Sequence, residues 1–166
     1  MSAHYVISPS GEITQMVALN DKAIHATYYN SRSIGIEMAG FADDEGTWQQ
    51  PDNFNLVALQ KLVAYLVIKY NIQVTHPSGD ANDYPPNYRF PETNIVAHSQ
   101  IQPVGPYYGG ANLYKAKSDP GPYFLWAPFI ADVQILAEAP RFTIVGGAVP
   151  QGRDCSIGID YAFLSK

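Results

Sequence analysis

Apolar residues recur along this chain with two periods. Over residues 4–8 and 13–19 they are β-branched or aromatic and short in run, and Ser8-Pro9-Ser10-Gly11-Glu12 between them is a turn signal. The pattern predicts a β-hairpin. Residues 20–31 read as a polar loop. Residues 33–38 read as a short buried strand, with Glu37 near its end and Gly40 after it. Then the period changes. Leu56, Leu59, Leu62, Val63, Leu66 and Tyr70 recur at steps of three and four, which predicts one apolar face of a helix. Asp52 or Asn53 can cap that helix, and it should end near Asn71.

The second half is more broken. Residues 75–93 hold four prolines among Gly, Asp and Asn, so they read as a long ordered loop. Residues 94–98 read as a core strand closed by His98, and residues 102–121 as a second long loop. Residues 123–139 read as a helix broken or kinked at Pro128. Beyond them, residues 142–145 and 156–163 look like strands, the latter with Ile157, Ile159, Tyr161 and Phe163 alternating. Hairpins interleaved with helices predict an α/β domain with a mixed central β-sheet flanked by helices.

Composition narrows the function classes. A chain of 166 residues fits one domain. With 46% hydrophobic and 15% charged residues the composition is globular. The net charge of −5, with no cluster of Lys or Arg, argues against a nucleic-acid partner. No run of about 18 apolar residues is present to cross a membrane. The lone Cys155 can build neither an internal disulfide nor a Cys-based zinc site.

The candidate chemistry sits on polar residues beside predicted strands: Glu37, His98, and Asp119 within Lys117-Ser118-Asp119-Pro120-Gly121-Pro122. Imidazole nitrogen and carboxylate oxygen are both zinc ligands. A glutamate beside such a metal can deprotonate its bound water. Each residue also has a plainer reading: a structural histidine, a turn, a solvated carboxylate. Spacing alone does not choose between them. The segment Val104-Gly105-Pro106-Tyr107-Tyr108-Gly109-Gly110 is aromatic and glycine-rich. With Tyr84, Tyr88 and Tyr114, Tyr107 and Tyr108 can wall a groove for sugar rings, or the segment can pack on itself.

Six short pieces come in one order: Ser2-Ala3-His4-Tyr5-Val6-Ile7; Gly11-Glu12-Ile13; Ile24-His25-Ala26; Asn30 with Ser33-Ile34-Gly35-Ile36-Glu37; Val96-Ala97-His98-Ser99-Gln100-Ile101; and Lys117 to Pro122 with Phe124 and Trp126. In this the chain resembles the type 2 N-acetylmuramoyl-L-alanine amidases, which share a fold with T7-type lysozymes and peptidoglycan recognition proteins. The resemblance covers roughly residues 2–130 and leaves 131–166 as a C-terminal extension. It implies a zinc-dependent hydrolase of the amide between N-acetylmuramic acid and L-alanine, acting on peptidoglycan or muropeptides in the periplasm, the cell wall or outside the cell.

By that resemblance His98 and Asp119 are the second and third zinc ligands, Lys117 stabilises the transition state and Glu37 is the general base. Ala3 stands where another branch carries a catalytic tyrosine, which favours Glu37. His25 and Asn30 correspond to positions lining the substrate. The family's first zinc histidine lies on a strand upstream of the hairpin, and this chain begins after it; His4 matches a structural position, and His76 has no reason to reach the metal. The chain alone is therefore also compatible with a non-catalytic muropeptide-binding module or an inactive fragment.

Overall fold

The computed structural model describes residues 2–40, 53–78, 94–101, 119–121, 123–139, 142–143 and 156–157. The hairpin forms as anticipated, but its strands are short. β1 (Tyr5–Ile7) pairs antiparallel with β2 (Ile13–Gln15), Val6 opposite Thr14. The turn closes through Ser8 N–H to Glu12 O (2.9 Å) and Gly11 N–H to Ser8 O (3.0 Å), and the Ser8 hydroxyl accepts from Glu12 N–H. Gly11 is at φ +84, a left-handed conformation suited to glycine.

β3 (Ile36–Met38) adds to the other edge of β1 in parallel, giving a mixed three-stranded sheet ordered β2-β1-β3. It is shorter than the strand expected over residues 33–38, because His4 interrupts the ladder. Gly35 donates its N–H to His4 Nδ1 (3.0 Å) while His4 N–H bonds Gly35 O. Glu37 therefore sits mid-strand, not at a strand end. The loop expected over residues 20–31 contains a 3-10 turn, Thr27–Ser31.

α1 (Asn53–Tyr70) buries Leu59, Leu62, Val63 and Leu66 as its period requires, together with Ala58, Ala64 and Val67. Tyr70 ends the apolar face and stays exposed. Asn71 then turns left-handed at φ 53, and Ile72 N–H reaches back to Val67 O (2.9 Å). That six-to-one bond satisfies a carbonyl the helix would otherwise leave orphaned.

α3 (Trp126–Glu138) packs along α1, and Gln60 on α1 donates to the Asp132 carboxylate on α3 (2.7 Å). Pro128 does not break it. In the first turn a residue's N–H has no intrahelical partner, so proline's missing donor costs nothing there. Phe129 and Val133 of α3 join Tyr5, Ile7, Ile13 and the α1 face in one hydrophobic core. The boundary drawn at residue 130 thus falls inside a helix whose two buried residues lie on either side of it.

Residues 94–98 do not form the expected strand. Ile95 makes one backbone bond, N–H to Thr75 O, and His98 opens a short helix, α2 (His98–Ile101). The reason is Gln100. Its Oε1 takes the Ala97 N–H that a ladder would need (2.9 Å), and its own N–H bonds Ala97 O. Further on, β4 (Phe142–Thr143) and β5 (Ser156–Ile157) pair as a separate two-stranded sheet. The remainder of the strands expected over 142–145 and 156–163 lies outside the described residues. No described helix is long and apolar enough to cross a membrane.

Candidate active site

His98 and Asp119 are far apart in sequence and meet in space. The His98 Nδ1 to Asp119 Oδ2 distance is 3.0 Å, and Ser99 donates its N–H to Asp119 O at 3.1 Å. Two bonds, one through a side chain and one through the backbone, thus hold the Asp-Pro-Gly turn against the start of α2. His98 is 15% exposed and Asp119 44%, so the pair stands at a boundary between protein and solvent.

That boundary is the wall of a cavity of about 860 Å³. Its floor is the α1 face, Leu59, Val63, Leu66 and Val67. One side is β3 with Ile36 and Met38, and another is Phe124 and Trp126. Glu37, Asn30, Arg32 and Asp21 supply polar groups to the same cavity. An apolar trough with a few convergent polar groups is the usual form of a small-molecule site.

The anticipated site residues divide. Glu37 lines the cavity with His98 and Asp119 and is exposed. No hydrogen bond or ion pair joins it to them among the described residues. Ile36 and Met38 pack on the core, and Glu37 between them is the exposed residue of the strand. Asn30 also borders the cavity, but its Oδ1 accepts from His25 N–H (2.8 Å) and Ala26 N–H (2.6 Å), which pins the loop before β3.

His25 is not among the cavity-lining residues. Its ring packs on Gly35, where an added Cβ would come 2.5 Å from two ring carbons. Its Nε2 bonds Ser33 Oγ (2.9 Å), and its ring meets His4 edge-on at 5.5 Å. Ser33 itself donates to Tyr29 O, so the hydroxyl accepts from His25 and the proton sits on Nε2. Burial pushes the His25 pKa below its ordinary value, and nearby His4 and His98 add to the lowering. Lys117, Tyr107 and Tyr108, with Tyr84, Tyr88 and Tyr114, lie outside the described residues.

His4 is 2% exposed. Its Nδ1 accepts from Gly35 and its Nε2 faces Asp21 O at 3.1 Å, so both nitrogens serve the fold. The sequence set His76 aside as having no reason to reach a metal and gave Gln100 no role of its own. His76 stacks on Trp126 with ring centroids 3.6 Å apart and planes 6° from parallel, and it contacts Gln100, which is 4% exposed. A glutamine two residues after a candidate ligand was the available signal, but its burial is a tertiary fact.

An imidazole nitrogen beside a carboxylate oxygen is a donor set that suits zinc. Among the described residues no group of three His, Cys, Asp or Glu comes together. The pair therefore fits part of a catalytic shell, which needs three protein ligands and a water.

A mixed sheet backed by helices, with a His–Asp pair on a cavity wall, defines an α/β protein with a candidate site. Residues 1–122, which include Glu37, His98, Lys117 and Asp119, match the sequence profile of a family described as N-acetylmuramoyl-L-alanine amidase. The chain belongs to that family. It is 29% identical over 143 residues to the 1,6-anhydro-N-acetylmuramyl-L-alanine amidase AmpD of Haemophilus influenzae, covering 81% of this chain and 59% of that protein. It is 30% identical over 131 residues to N-acetylmuramoyl-L-alanine amidase A of Achromobacter lyticus, covering 78% of this chain and 66% of that protein. The chain thus spans less than two thirds of the length of either relative. No solved structure matches it significantly.

Proposed function

We propose that this chain carries part of the active site of a zinc-dependent amidase that hydrolyses the bond between N-acetylmuramic acid and L-alanine, in peptidoglycan or in muropeptides released from it. The observation that supports this reading is the meeting of His98 with Asp119 on a cavity wall, within the span that matches the family. His98 and Asp119 would hold the metal, with a third ligand from beyond the described residues. Bound zinc supplies Lewis acidity, lowering the pKa of its water towards neutral and polarising the carbonyl. Glu37 takes the proton from the attacking water and delivers it to the departing amine. Lys117 offsets the charge that develops on the carbonyl oxygen. The apolar floor on α1 offers a surface for the apolar parts of the substrate.

The test is mass-spectrometric detection of free stem peptide from purified muropeptides, with zinc content measured alongside. Release that is lost in Glu37→Ala with zinc retained supports the assignment. Undiminished release in that variant removes Glu37 as the base. Asp119→Ala should lose the metal, and stoichiometric zinc in that variant refutes its role as a ligand. A second reading is favoured by the two-donor count among the described residues: a module that holds muropeptides without cutting them. Calorimetric binding with no peptide release identifies it.

A further inference from the structure

The segment that carries His98 is short, lies in no sheet, and is anchored from one side by a polar cluster outside the cavity. Gln100 is its hub. Its Oε1 accepts the Ala97 N–H, which fixes which end of the amide is nitrogen. That nitrogen donates to Pro77 O at 2.7 Å and faces His76 Nε2 at 3.3 Å. His76 Nε2 is therefore the acceptor, and His76 Nδ1–H donates to Ile95 O at 3.0 Å. Flipping the amide would set its oxygen against the Pro77 carbonyl. Moving the histidine proton would set two donors face to face. The geometries agree on one arrangement, with neutral His76 protonated at Nδ1.

This cluster is tied at both ends. Trp126, at the start of α3, stacks flat on His76 and also lines the cavity. At the other end, Gln100 closes the turn from which His98 projects, and the next residue, Ser99, bonds Asp119. Hydrogen bonds from the side of residues 75–77 reach this segment through the Thr75 carbonyl to Ile95, through His76 to Ile95 and Gln100, and through the Pro77 carbonyl to Gln100.

We propose that His76 and Gln100 are positioning residues that set His98 against Asp119, an inference that rests on the reading of that pair as metal donors. Neither is hydrogen-bonded to the His98 or Asp119 side chain among the described residues. Their role is to hold the backbone at Ala97 so that the imidazole arrives at Asp119 already oriented, as the partners behind a metal site commonly do.

The test compares wild type with Gln100→Met, which keeps side-chain length, and His76→Phe, which keeps the stack on Trp126 but removes both ring nitrogens. His76→Asn, which restores one N–H donor near the Nδ1 position, is the rescue variant. Amide exchange of Ser99 in the metal-free protein is the first readout, since the Ser99 N–H bonds Asp119 O and not either substituted side chain. Zinc affinity by chelator competition is the second. Loss of Ser99 protection by tenfold or more, with Leu62 and Leu66 amides in α1 unchanged, zinc Kd raised tenfold or more, and partial recovery in His76→Asn, is the expected result. Unchanged Ser99 exchange, or unchanged zinc affinity in variants whose Ser99 has opened, overturns the proposal. Wild type without zinc affinity would sink the metal reading of the pair, and Ser99 exchange would then alone decide the positioning role. Should the variants not fold, the imidazole nitrogen shifts of wild type decide: His76 protonated at Nε2 contradicts the network.

Discussion

At the scale of single residues, the site region is governed by what fits beside an imidazole. Gly35 is glycine because His25 lies on it, with ring carbons 2.5 Å from where a Cβ would stand. Gly35→Ala should lower the free energy of unfolding by about 1–3 kcal/mol, the cost of overpacking, measured by urea titration. In the His25→Ala background the same change should cost clearly less. Equal costs in the two backgrounds would mean that the ring is not what excludes the Cβ. His25 and His76 also carry a pH consequence. Burial is the largest cause that lowers both pKa values, so the unfolded chain binds protons more readily than the native one. Their stability contribution is complete above the unfolded value of 6.5 and is lost as pH falls below it towards the depressed folded values. The urea midpoint should drop between pH 7.5 and 5, and His76→Asn should flatten that slope. A midpoint that rises on acidification would reverse the assignment. Neither histidine's environment is visible in its neighbours along the chain. His98 and Asp119 likewise came from the resemblance to a family, because their 3.0 Å approach spans 21 positions.

At the scale of elements, periodicity was the reliable guide and tertiary hydrogen bonds were what it missed. α1 was legible because its apolar face repeats over several turns, and the structure buries Leu59, Leu62, Val63 and Leu66 of the residues that the period selects. The strand expected over residues 94–98 was not legible as a turn, since the side chain that diverts it, Gln100, acts through buried contacts. β3 was shortened by His4 for the same kind of reason. The end of α1 supplies an element-level prediction. Asn71 holds a left-handed φ of 53, so Asn71→Gly should be neutral or mildly stabilising. A bulkier Asn71→Val should cost about 1–2 kcal/mol, the penalty of the left-handed region for a residue with a full Cβ. A loss in Asn71→Gly as large as in Asn71→Val would show that the Asn side chain, not its backbone, holds the cap.

At the scale of the molecule, one core joins the hairpin, α1 and α3. The reading of residues 131–166 as an extension to a domain ending near 130 meets a helix that crosses that point. Val133, fully buried, lies beyond it. A chain ending at residue 130 should therefore lose cooperative unfolding, or lose at least about 2–5 kcal/mol, the scale of a large core truncation. Differential scanning calorimetry would show it, and an unchanged transition would support a domain that ends near 130. One ending at 139 keeps α3 whole and should unfold as a single transition.

The double attachment of Asp119 to the start of α2 has a consequence for how such a site can evolve. Because a side-chain bond and a backbone bond close the same contact, the separation of the two donors in space does not depend on the number of residues between them. Lengthening a connection adds closure entropy only slowly, about 0.6 kcal/mol per doubling. The number of residues between positions 101 and 119 is thus free to change while the donor pair keeps its place: length is the variable open to selection, and the clasp is the constant.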